Sequence, residues 1–207
     1  MDRFDVLLGT AALSAASVLT VMARRYGAAN TVCFASLSGL FTAVMDLLSA
    51  YAVRAYVYPG QSKLWVFSFI FTGWMATCGS CLLLAEGMVL GRRRVIDVLE
   101  ARWRVAHMTG IVALALDLFI DPVAVKLAVW VWTPPGNVYF GIPLYNFVGW
   151  HNLMTIAPAV WLLVVTQPGW SPTRRMLVSL AALPPTMVVS AVLSILVNSL
   201  ILLTPWR

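Results

Sequence analysis

Residues 105–132 read VAHMTGIVALALDLFIDPVAVKLAVWVW, and this stretch decides the fold. It is longer than the roughly 20 apolar residues that a helix needs to cross a bilayer. Inside it sit Asp117, Asp121 and Lys126, charged groups that a lipid-facing helix does not carry without a use for them. Similar apolar runs lie on either side, at Val6–Met22, Thr31–Val53, Leu64–Leu90, Phe147–Thr166 and Met176–Leu203. The expected fold is all-α, a polytopic membrane bundle of about six helices. A single integral membrane domain, 1–207, would use nearly the whole chain.

Composition points the same way. The chain has 207 residues, 61% apolar and 11% charged, with a mean hydropathy of +0.87. A soluble domain carries about a quarter charged residues. The formal charge of +6 does not imply nucleic-acid binding, because the arginines fall in short runs between apolar stretches. The opening Met1-Asp2-Arg3-Phe4-Asp5 has two acids against one arginine, and Arg24-Arg25 close the run behind it. A retained first helix is expected there rather than a signal peptide. Cys78-Gly79-Ser80-Cys81 has redox spacing, but mid-span and without a nearby histidine it reads as small residues packing helices.

The basic residues set the orientation. Arg24, Arg25, Arg92, Arg93, Arg94, Arg102, Arg104, Arg174 and Arg175 share one face; Arg3, Arg54, Lys63 and Arg207 share the other, whose Thr133–Tyr145 loop has none. The first face is expected in the cytoplasm, with both termini outside. Val95–Arg104 reads as a short interfacial helix or a helical extension. Pro122, Pro158 and the Pro184-Pro185 pair fall inside spans, with kinks expected at Pro122 and at the pair.

Four acids fall within the spans: Asp46, Glu86, Asp117 and Asp121. A carboxylate at a helix centre costs on the order of 3 kcal/mol, so each is a functional candidate unless it pairs with a neighbour such as Lys126. Asp117 and Asp121 are four apart and share a helical face. Two adjacent carboxyls in low dielectric cannot both ionise comfortably, which leaves one as a neutral acid able to donate a proton. At about 1.5 Å per residue, Asp46 lies roughly 10 Å and Asp121 roughly 16 Å below the outer face, with Asn146 and His151 shallower. These four could share an outer-half cavity with Asp117 as its floor. Glu86 falls near the cytoplasmic boundary beside Arg92–Arg94, where an interfacial ion pair accounts for it, and it is held in reserve. Tyr58, Trp130, Trp132, Tyr139, Phe147 and Trp150 are candidate substrate-binding aromatics. They are either interfacial belt residues or cavity walls whose ring faces stabilise a cation. The two histidines, His107 and His151, have no metal-ligand spacing, and no phosphate loop or dinucleotide fingerprint occurs. No metal or cofactor is expected.

Three blocks carry a resemblance: Asp117 to Lys126, then Trp130-Val131-Trp132, then Tyr139 to Trp150. Together they resemble the membrane carotenoid-biosynthesis family, which includes the bacterial and archaeal carotenoid hydratases. The resemblance implies a membrane enzyme that adds water to the terminal double bond of an acyclic isoprenoid without a redox cofactor. It makes Asp117 and Asp121 the family's paired acids and Asn146 its loop asparagine. The segment from Asp46 to Tyr58 departs from the pattern, with Asp46, Ala52 and Arg54 where glutamate and glycines are expected. Asp46 followed by Tyr56-Val57-Tyr58-Pro59 is also similar to the small membrane-bound terpene cyclases, which protonate an alkene or epoxide and then exclude water.

Three functions therefore stand at this point: a hydratase with Asp121 as donor and Asp46 as second carboxylate, a terpene cyclase using the same donor, or a non-catalytic isoprenoid carrier or assembly subunit. The expected partners are a hydrophobic isoprenoid substrate and the lipid bilayer, the expected location a bacterial or archaeal cytoplasmic membrane. Oligomeric state is left open.

Overall fold

The computed structural model describes residues 3–133 and 139–203. Arg207 and the middle of the Thr133–Tyr145 loop, which entered the orientation count, lie outside the described residues, as does Asp2 of the opening segment. Among the described residues, six helices are long and apolar enough to cross a membrane. They are Arg3–Tyr26, Ala28–Ala52, Lys63–Leu90, Arg102–Lys126, Leu144–Val165 and Leu183–Leu202, called here the first to sixth spans. The all-α membrane bundle read from hydropathy is the fold observed.

The first span packs on the third, where Ala15 and Met22 are buried and a Cβ added to Gly79 would strike Val18. The third packs on the fourth, the fourth on the fifth, and the fifth on the sixth. At the arginine-rich end, fully buried Trp161 donates its indole N–H to the Asn30 carbonyl at 2.8 Å and meets the Tyr26 and Phe34 rings edge-on.

The second span is irregular. Its α-helix gives way to π-helix at Ser36–Phe41, returns to α at Thr42–Leu47, and ends in π-helix at Leu48–Ala52. Ser38 and Thr42 turn their hydroxyls back onto carbonyls of the preceding turn, the kind of local competition that bends helices. Gly39 allows the close approach to the third span, because a Cβ there would come within 2.7 Å of Met75.

Arg54, with φ 59°, turns the chain out of the second span into strand β1, Tyr56–Val57. This strand pairs antiparallel with β2, Val131–Trp132, with Tyr56 opposite Trp132. The ribbon and the Thr133 N–H to Ala55 carbonyl bond tie the connection after the second span to the one after the fourth.

Two expectations change. The apolar run through Trp132 is not one helix. It stops at Lys126 in a turn with Ala128 at φ 52°, where Val129 N–H reaches the Ala124 carbonyl, and Trp130 and Trp132 belong to the ribbon. The run Met176–Leu203 is also broken, into an amphipathic helix Pro172–Ala181 and the sixth span, because Pro184 and Pro185 cannot donate to the preceding turn. Pro122, by contrast, sits inside a continuous helix. The Leu118 carbonyl that its ring leaves without a donor accepts the Tyr139 hydroxyl at 3.0 Å instead.

The Val95–Arg104 segment forms two 3₁₀ turns, Val95–Asp97 and Leu99–Ala101, that run into the fourth span at Arg102.

Candidate functional site

The fourth span carries Asp117 and Asp121 one turn apart on a buried face; they are 0% and 1% exposed. Asn146, in the first turn of the fifth span, donates its side-chain amide to both, at 2.9 Å to Asp117 Oδ2 and 2.6 Å to Asp121 Oδ2. One amide nitrogen has two hydrogens, one for each acid. One donor therefore holds the two carboxyls side by side. Asp117 Oδ1 is buried and has no hydrogen-bond partner.

A second centre surrounds Asp46, on the α segment between the two π segments. Its Oδ1 accepts the Tyr56 hydroxyl in a short contact and the Tyr58 hydroxyl at 3.2 Å; its Oδ2 accepts the Trp74 indole N–H at 2.8 Å. Three donors and no acceptor complement an ionised carboxylate. Burial and the Asp46 carboxyl push both tyrosine hydroxyls well above the usual phenol range, so Tyr56 and Tyr58 stay protonated as donors. Asp46 is partly accessible, unlike the acid pair, and it is near enough to interact electrostatically with Asp121.

Aromatic rings crowd the Asp46 centre and continue onto the fifth span. Tyr56 meets Trp132 at 4.8 Å and Tyr58 at 5.7 Å between ring centroids; Trp132 meets Tyr145 at 5.7 Å. Trp130 lies 6.2 Å from Tyr58, and Trp150 lies 4.8 Å from Trp74. Tyr139 meets Phe147 at 6.0 Å while its hydroxyl holds Leu118.

The structure thus gathers Asp117, Asp121 and Asn146 in one group, and Asp46 with Tyr58 in a neighbouring one. His151 is not among them. It lies more than a turn beyond Asn146 along the fifth span, deeper than the sequence estimate placed it, and its ring meets His107 at 5.1 Å. Glu86 does pair at the arginine-rich end, but with Arg25 rather than Arg92–Arg94. It also accepts the Val95 N–H, while Arg25 donates to the Arg93 carbonyl at 3.0 Å. Lys126 is exposed and forms no ion pair among the described residues. Sequence reasoning did not single out Trp74, and it met Tyr56 only as part of the segment that follows Asp46. Their role as Asp46 donors depends on contacts between separate elements, and no local pattern signals it.

Acids and aromatics in this arrangement are suited to proton transfer onto an apolar substrate and to shielding the cation that results. No curated protein and no solved structure matches the chain. A family described as "Carotenoid biosynthesis protein" matches residues 2–204. The chain is an integral membrane member of that carotenoid-biosynthesis family.

Proposed function

We propose that the protein hydrates the terminal double bond of a linear isoprenoid or carotenoid within the bilayer, and that it works in a bacterial or archaeal cytoplasmic membrane with the arginine-rich face inside. The observation that carries this reading is the Asp117–Asp121 pair, two buried carboxyls under a single asparagine. Asp121 transfers its proton to the less substituted carbon of the alkene, and the other carbon becomes a tertiary cation. The aromatic walls stabilise that cation without quenching it. Water attacks the cation through oxygen, and Asp46 accepts the proton that the new C–O bond makes acidic. The proton returns from Asp46 to Asp121 before the next turnover. Alkene plus water becomes a tertiary alcohol with no change in electron count.

Cyclisation is the second reading, favoured by the dense ring contacts among Tyr56, Trp132 and Tyr145, which suit exclusion of water from a folded chain. A non-catalytic carrier is the third. The test is expression in cells supplied with linear isoprenoids of several lengths, wild type beside Asp121→Asn, with product masses read. A gain of one water, lost in the variant, supports hydration. An isomer of unchanged mass, lost in the same variant, makes the protein a cyclase. Flux unchanged in both Asp121→Asn and Asp46→Asn makes it a carrier.

A further inference from the structure

Most hydroxyls recorded inside the spans close on the carbonyl one turn back: Ser38 on Phe34 at 2.8 Å, Thr109 on Val105 at 2.8 Å, Thr186 on Ala182 at 2.6 Å. Thr155 and Ser190 do not. Both hydroxyl oxygens are buried without a hydrogen-bond partner, and Ser190 is 0% exposed. They lie on the fifth and sixth spans, which pack on each other and are joined nearby by Asn152 Nδ2 donating to Ser194 Oγ at 3.4 Å. Thr155 Oγ1 also faces the fourth span at Gly110, where an added Cβ would collide with it and come within 2.8 Å of the His151 carbonyl. That close approach brings His151 against His107, which is exposed on the fourth span just beyond Arg102 and Arg104.

A buried hydroxyl in a bilayer interior needs a partner, and a water molecule is the smallest group that both donates and accepts. His107, Gly110, Asp117 and Asp121 fall at helical spacing on one face of the fourth span, so the histidine pair sits in line with the acids. Asp117 Oδ1, at the far end of that line, is also without a partner.

We infer that the His107–His151 pair, with the Thr155 and Ser190 hydroxyls, holds water inside the bundle and passes it from the arginine-rich face toward Asp117. Its use as the nucleophile rests on the hydration reading above; its existence does not. In that scheme the water that attacks the cation arrives from the side opposite the ribbon, and the lipid-facing substrate never opens the site to bulk solvent.

The test is hydroxyl-radical footprinting of the full protein in lipid nanodiscs, where radicals generated from internal water label the side chains beside it. Wild type is expected to label at His151. The double variant Thr155→Val, Ser190→Ala removes both hydroxyls without adding side-chain volume. It is expected to lower that labelling by about tenfold, with labelling of exposed Trp103 unchanged. Thr155→Ser, which keeps the hydroxyl and adds no volume, is expected to label as wild type does and guards against loss through misfolding. No labelling of His151 in the wild type, or equal labelling in the double variant, overturns the inference. No substrate is used, so product masses that showed cyclisation would retire the hydration reading and leave the water site standing.

Discussion

The Asn146 side-chain amide lies 2.6 Å from the Asp121 carboxyl, across the interface between the fourth and fifth spans. Because the same nitrogen also serves Asp117, one side chain positions both acids. Asn146→Leu is expected to lower turnover by about 10- to 100-fold, the range for losing hydrogen bonds to charged groups. Substrate affinity should change little. Initial rates of product formation in membranes over a substrate series separate the two effects.

Removing the donor itself should cost more. Asp121→Asn is expected to reduce turnover by about 10²- to 10⁴-fold, the contribution of a positioned general acid. Asp117→Asn leaves a proton donor in place and should fall short of that loss. The same rate assay on both variants ranks them, and equal losses would reject the assignment of Asp121 as donor.

The tyrosines at Asp46 predict an alkaline limit. Their folded pKa values are raised, so the folded state keeps protons that the unfolded chain releases from about pH 10. Stability from this source is fully present below pH 10 and declines as pH rises beyond it. Thermal unfolding in detergent from pH 7 to 11 should show this decline, and Tyr56→Phe, Tyr58→Phe should flatten it.

Glu86 and Arg25 make the test of the arginine-rich end. Glu86 is 1% exposed, so Glu86→Leu leaves the Arg25 charge beside a buried, unsatisfied Val95 N–H. A loss of about 3–5 kcal/mol is expected. Arg25→Met with Glu86→Leu should lose less than Glu86→Leu alone, measured by the shift in unfolding midpoint.

Gly110→Ala is expected to cost about 1–3 kcal/mol by overpacking the crossing of the fourth and fifth spans. Adding Thr155→Ala removes the hydroxyl contact but not the one with the His151 carbonyl, so it should restore only part of the loss. Unfolding midpoints of the single and double variants check this.

What the sequence made legible was local. Hydropathy exposed the spans because a bilayer forces their length, and Asp117 with Asp121 was visible because helical spacing puts four-apart residues on one face. The grip on Asp46 was not visible, since Trp74 comes from the third span and Tyr56 from the ribbon. A ribbon of two residues per strand leaves no alternation to read. Apolar content carried the last run across Ala182, where backbone geometry ends one helix and begins another. His107 and His151 looked unrelated because only the crossing at Gly110 brings their rings together.

The π segments on either side of Asp46 give the second span slack in chain length beside a carboxylate whose direction matters. A π turn closes over one more residue than an α turn does, so it holds a surplus residue without unwinding the helix. Deleting one residue within Ser36–Phe41 would absorb the surplus and return that stretch to α-helix, with the residues beyond it still on their present faces. Deleting one residue from the α-helical turn before Asp46 has no such slack and would swing the carboxylate about 100° around the axis, away from Trp74. In related chains, a single-residue gap is therefore tolerable in the π segment and damaging just after it.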